Sequence, residues 1–388
     1  MPPATGIVIS GLGMVSSLGF DVVTSCAAQR AGLTRRHPLA QAVAYDEAEL
    51  EAPVSGAPLK DFTDGFIQSG AWVRMAVTAL EGLIDYGQLP GREDARFWQT
   101  TGVAWVLPPL LFERFFWPEP EVPALLEAYC ADLLARLTQL PLQMIPDGFI
   151  AGGPHGVATA VQRAQALFAR SRLERVLILA TDSWLDRPSI NLLIREGRLK
   201  TSERPVGLCP SESAACVLVE RASPAEQRGA RSEARILAAA VQDAPEAPLE
   251  EDEEEAPVFS RSHLAPEWGR RLAMTVQRTV EAAGVREPFR GDILVDLNGE
   301  EWRARVWAYA QQLLHEQVDF AGSRLVIPAI AFGDVGAASG VASLCVATRS
   351  YVRGYALAHR SLVCSVSDDG STGVLLTETT AQTQARAP

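Results

Sequence analysis

Short apolar segments recur along this chain, and each gives way to a stretch with helical spacing. The segments are 6–10 (GIVIS), 102–107 (GVAWVL), 175–180 (RVLILA), 214–220 (AACVLVE), 235–241 (RILAAAV), 292–296 (DILVD), 324–330 and 361–366. An apolar run with no polar alternate suits a strand whose sheet is covered on both faces. Helical spacing runs over 21–31, 71–86, 121–138, 155–170, 267–284, 301–315 and 336–349. Strands that keep alternating with helices dictate an α/β architecture. The pattern restarts at 235, and each half opens on a short apolar strand. Two related halves are therefore expected, residues 1–230 and 231–388. Two turns are expected within the pattern, at Gly11-Leu12-Gly13 and at 148–153 (GFIAGG).

At 388 residues the chain is too long for one ordinary layered domain and suits two fused halves. Its 47 acids against 35 bases give a net charge of −12. That field repels nucleic acid, anionic membranes and acidic carrier proteins. Arg35-Arg36 and Arg270-Arg271 are too short to reverse it. The six cysteines are scattered without a CxxC pair and the five histidines are dispersed, so neither a metal nor another cofactor is expected. The opening MPPATGIVIS has no basic region before a long apolar stretch, and no window approaches a span of about 20 apolar residues. A reduced, cytoplasmic protein is expected. Residues 243–257 carry six consecutive acids, Glu250 to Glu255, between prolines. With no apolar face to bury, they read as a flexible loop or as a docking tail for a basic partner.

Five stretches, in order, resemble the β-ketoacyl synthases of the thiolase superfamily. Residues 7–19 (IVISGLGMVSSLG) are similar to that family's first strand and turn, and 62–84 to the helix after its Asp/Arg-rich loop. Residues 177–186 (LILATDSWLD) resemble the strand after the nucleophile helix, 211–220 (SESAACVLVE) the usual GEGAAALVLE, and 332–344 (FGDVGAASGVASL) the GHxxGAAG helix. The resemblance implies a thiolase-like five-layer αβαβα fold of two pseudo-repeated halves, usually as a two-fold dimer.

It also implies where chemistry would sit. A ketosynthase takes its acyl chain on a cysteine at the N-terminus of a buried helix, where the helix dipole favours thiolate. Two histidines stabilise the enolate and the oxyanion, one of them supported by a lysine. Aligning Gly153 and His155 on the family's A-C-x-S-G-x-H places Ile150 at the nucleophile, and a one-residue slide offers Phe149 or Ala151. Asn298 takes the place of the first histidine, Asp334 that of the second, and Ala329 that of the lysine. Residues 366–372 (VSDDGST) replace a glycine-rich turn and add Asp368 and Asp369. None of the nucleophile candidates can attack a thioester, and asparagine cannot change protonation state usefully. Losing one oxyanion donor costs about 10²- to 10³-fold, and losing the nucleophile removes the covalent route. The chain is therefore expected not to be a condensing enzyme, and its pocket to have turned acidic.

Gly152, His155, Cys364 and Asp368 are the expected members of the vestigial pocket. A Cys–His–Asp site from Cys364, His155 and Asp334 is the alternative; against it stand a buried strand cysteine and a helix-cap histidine. Cys209 also falls beside a family active-site loop. Residues 201–210 are short for a gate, and Pro210, Ser211 and Ser213 stiffen the approach.

Three functions fit. The first is an accessory or scaffold protein whose partner is another protein. Phe112, Phe115, Phe116 and Trp117 would form its partner or dimer surface, unless they are core. In general character the chain resembles accessory proteins of bacterial type VI secretion, which implies a secreted effector to stabilise or load. The second is a silent partner of an active homologue, like a chain-length factor, in a homo- or heterodimer. The third is a repurposed acyl-thioester enzyme.

Overall fold

The structure is a computed structural model that describes residues 6–45, 51–201, 204–245 and 261–384. The acidic run Glu250–Glu255 lies outside them. Ten strands form one mixed sheet: β1 (Ile7–Ser16), β2 (Thr101–Val106), β3 (Gln143–Ile150), β4 (Arg175–Ser183), β5 (Glu212–Arg221), β6 (Ala234–Gln242), β7 (Asp292–Val295), β8 (Arg324–Val326), β9 (Arg360–Val366) and β10 (Thr372–Thr379). Their order is β8-β7-β9-β10-β6-β1-β5-β4-β2-β3. Read from either edge, strand n of the first half occupies the place of strand n+5 of the second. The pairing directions match too: β2 runs parallel to β3 and β4, as β7 does to β8 and β9, and the remaining pairs are antiparallel. The halves meet where Ile7–Ile9 pair with Ala234–Ile236.

Five helices complete the layers: α1 (Ser69–Gly87), α2 (Gly156–Arg170), α3 (Ala265–Ala282), α4 (Glu301–Leu313) and α5 (Ser339–Val352). Helix α1 covers the outside of the first half, and α3 and α4 the outside of the second. Helices α2 and α5 lie between the two sets of strands. Alternation along the strands feeds these layers. In β4, Val176, Ile178 and Ala180 face the middle, whereas Leu177 and Leu179 face α1. Burying one such side chain stabilises by roughly 1.5–3 kcal/mol, which is why strands covered on both faces show no polar alternate.

Four expectations need correction. Gly11-Leu12-Gly13 is no turn, for β1 runs on to Ser16 with only a shift of register between Ile9 and Gly11. Gly13 instead admits a close helix, since a Cβ there would sit 1.9 Å from the carbonyl oxygen of Ala79 in α1. Residues 148–150 belong to β3, and the turn begins at Ala151. The helix expected over 121–138 runs continuously from Val122 to Thr138, but a π-turn at Glu127–Ala131 interrupts its regular α spacing. The strand expected over 324–330 stops at Val326, because Pro328 opens a short helix at Ala329–Phe332. No helix of the described residues is long and apolar enough to cross a membrane.

Candidate functional site: an ionic lattice in the cleft

The C-terminal ends of the parallel strands β2, β4, β7 and β9 converge on one cleft, the place where open α/β sheets hold ligands. Its empty volume is about 570 Å³, partly open to solvent. Four arginines (Arg114, Arg198, Arg261, Arg303) and four carboxylates (Asp182, Glu196, Asp334, Asp368) line it. Charge there is therefore balanced, where the sequence pointed to acid alone.

Arg198 organises the floor. Its Nε and Nη2 donate to the two oxygens of Glu300 at 2.7 and 3.0 Å, and its Nη1 donates to Asp368 Oδ2 at 2.6 Å. Arg303 donates to the other oxygen of Asp368 at 2.9 Å, and to Asp296 and the carbonyl of Val366. One carboxylate thus joins two arginines that come from opposite halves of the chain. Burial pushes Asp368 up, but the charges of Arg198 and Arg303 prevail and hold it well below the usual carboxylate range. Asp296 lies deeper, and burial raises it to about 6 against the pull of Arg303. In the buried wall of the cleft Arg114 donates to Asp182 at 2.6 Å and to Ser189 at 2.9 Å, and its guanidinium lies 3.7 Å over the Trp184 ring.

Asn298 and Asp334 do come together. The Asn298 amide donates to Asp334 at 2.6 Å and to Glu300 at 2.8 Å. The other Asp334 oxygen accepts from Gly336 N at 2.7 Å. Both positions of the expected histidines are thus tied into the lattice. Ile150 ends β3 and points into the core, away from the cleft. The residue that caps α2 is His155, so an imidazole stands at the helix N-terminus. Its Nδ1 lies 2.7 Å from Ser367 Oγ, and that hydroxyl donates to Gly152 O at 2.7 Å. Burial lowers the pKa of His155 despite Asp369 and Asp243. The group acts as a neutral clamp between two turns. Ala329 lines a separate small cavity with Asp296 and Phe332.

The Cys364–His155–Asp334 site does not assemble. Cys364 faces α3 and α4, in a cavity with Leu272 and Trp307 that contains neither partner. Burial drives its thiol far above the ordinary range. The Cys209 thiol points to Ser55 O at 3.8 Å, and burial raises it too. All six cysteines are free and buried. The expected aromatic surface splits in two. Phe112 and Phe116 are exposed, while Phe115 is core and Trp117 is half-buried, its indole donating to Gln68.

The sequence reading missed Arg114, Arg198 and Arg303. Each is a single arginine in its own segment, and no spacing rule links them. The one available signal was their placement beside motif residues: Arg303 in the first turn of the helix after Asn298, Arg198 just before the short gate.

No family profile and no curated protein matches the sequence. Solved structures do. A chain of the AntDE:AntF complex, a type II PKS acyl-carrier protein with its ketosynthase bound to the hexaketide, superposes with a TM-score of 0.74 at 14% identity. That match covers 97% of this chain and 100% of the other. The oxazolomycin ketosynthase domain OzmH KS7 of Streptomyces albus gives 0.74 at 15% identity, over 97% and 75%. The ishigamide ketosynthase/chain length factor gives 0.63 at 19%, over 96% and 99%. The chain has the thiolase-like fold that ketosynthases and chain-length factors share.

Proposed function

We propose that this protein does not condense acyl groups and instead acts by binding another protein. One observation carries the reading: the cleft where thioester chemistry would occur holds an arginine–carboxylate lattice and is lined by no thiol among the described residues. A carboxylate at Asp334 opposes a developing oxyanion, and the one hydroxyl bonded to His155, that of Ser367, is buried and committed to the Gly152 carbonyl. Within this reading the chain is a cytoplasmic accessory protein. A secreted effector of the type VI kind, which it would stabilise or load, is the specific partner we favour.

A chain-length-factor role is the second reading, supported by the likeness to the ishigamide ketosynthase/chain length factor. The lattice weighs against it, because an acyl tunnel needs apolar walls.

The test is direct. The purified protein is incubated with acyl and malonyl thioesters and examined by intact mass and product release. No mass gain and no release are expected. Covalent acyl transfer onto the chain, or a condensed product, would refute the proposal. Co-expression with an active ketosynthase separates the second reading: a stable heterodimer would favour it.

A further inference from the structure

Each arginine that lines the cleft has an acid, but one acid has no arginine. Arg114 is spent on Asp182, Arg198 and Arg303 share Asp368, and Arg261 faces Glu196 at 3.6 Å. Asp334 lines the same cleft and is only 7% exposed, yet it has no base within ion-pair distance among the described residues. Below, Glu300 and Asp296 pair with Arg198 and Arg303 and add two acids without adding a base. Four arginines therefore stand against six carboxylates. Burial is the main cause that raises Asp182 and Asp296, and the charge of Asp334 adds to it in both.

Asp334 is also held fast. Its backbone N–H donates to Cys209 O at 2.8 Å, and its carbonyl accepts from Ser211 N at 3.0 Å. One side-chain oxygen accepts from Gly336 N at 2.7 Å and the other from the Asn298 amide at 2.6 Å. A carboxylate offers about four lone-pair sites, so about one per oxygen is left for a guest. Apolar groups complete the approach, since Leu192, Ala337 and the Trp184 ring line the same cleft. A metal ion does not suit the place, because no group of three or more candidate ligands gathers among the described residues.

We infer that the cleft binds a primary alkylammonium group, with Asp334 as its counter-ion. An ammonium is a compact charge with three donors on a stem of methylenes. The stem suits the apolar walls and the head suits one rigid carboxylate at their end. An anion meets the excess of acid and is repelled. The inference goes beyond the protein-binding reading and does not depend on it, for a lysine of a partner and a free amine present the same chemistry.

The test is a ligand-observed NMR titration of the full chain at neutral pH. The probes are Nα-acetyl-lysine methylamide, its norleucine counterpart without the charge, and its Nε-trimethyl form, which keeps the charge but loses the N–H donors. Broadening of the side-chain resonances reads binding. The lysine form is expected to bind at least about tenfold tighter than either of the others. Asp334→Asn removes the counter-ion and should weaken it by about tenfold or more. Glu281→Gln removes an exposed acid on α3, and so the same unit of net charge, and should leave binding unchanged. Circular dichroism confirms folding; if D334N misfolds, the ligand series on the wild-type chain decides alone. A norleucine or trimethyl form that binds as tightly as lysine would overturn the inference. So would a folded D334N that binds like wild type, or an equal loss in E281Q. n-Butylamine separates the two sources, and either result upholds the inference: binding as tight as the lysine form assigns a free amine, and weaker binding a lysine of a protein. None of these results bears on acyl transfer, so the two proposals fail separately.

Discussion

Replacing Arg198 by methionine removes four charge-assisted hydrogen bonds at once, two to Glu300, one to Asp368 and a long one of 3.5 Å to Glu196. Arg198 and Glu300 are each only 6% exposed, so water cannot replace what is lost. Breaking a buried ion pair by deleting one partner costs about 3–5 kcal/mol. Here the two closely bound acids keep some support. Glu300 retains the Asn298 amide at 2.8 Å, and Asp368 retains Arg303 and is 26% exposed. The loss should fall at the low end, about 3 kcal/mol. The double variant R198M/E300Q removes the uncompensated charge and should recover part of it, with a coupling of about 2 kcal/mol. Urea unfolding followed by tryptophan fluorescence measures all three variants. The acid limb gives a second handle. Burial pushes Glu300 up, but Arg198 prevails and holds it low, as with Asp368. A depressed folded pKa gives stability that is complete above the unfolded value and lost as pH falls through the folded one. The gap between wild type and R198M should therefore close below about pH 4. An R198M variant within about 0.5 kcal/mol of wild type, or a strictly additive double variant, would refute the lattice as a stabilising unit.

Other outcomes follow from the same geometry. Gly13→Ala forces a methyl against the Ala79 carbonyl, and should cost about 3 kcal/mol in the same unfolding assay. His155 has a lowered folded pKa, so the unfolded state takes up its proton first. Stability should fall as pH drops below 6.5, and His155→Gln should flatten that slope in pH-dependent melting. Asp296 is the opposite case: raised to about 6, it favours the fold at acid pH, and that contribution fades as pH rises from about 4 to 6. Asp296→Asn should remove this dependence. Maleimide should leave Cys364 unmodified in the native protein and label it after denaturation, and Cys364→Ala should change no acyl-thioester behaviour.

Strands buried on both faces carry an uninterrupted apolar signature, so β2, β4, β5 and β9 were readable directly from composition along the chain. Glycines were ambiguous. Gly11 and Gly13 look like a turn, but at Gly13 the missing side chain makes room for α1 rather than for a bend. Local pattern has no access to a helix that arrives sixty residues later. At the site, Asn298 and Asp334 were legible because motif and fold keep them in the same loops. The nucleophile position was less so, since the chain between β3 and α2 sets its own register and brings His155, not Ile150, to the helix start. The arginines were illegible for a plainer reason. Arg114, Arg198 and Arg303 meet their carboxylates only through topology, and a carboxylate seen alone in sequence looks like uncompensated charge.

The narrow weld between the halves bears on how the chain can be made. Three residue pairs join β1 to β6, while α2 rests on β6 and β10, and α5 rests on β5. Each half lends its apolar inner helix to its sibling. A nascent chain that has released only its first half shows α2 with one flank bare, and that flank is not fully covered until β10, the last strand, leaves the ribosome. Completion of the interior is thus deferred to the final moments of synthesis.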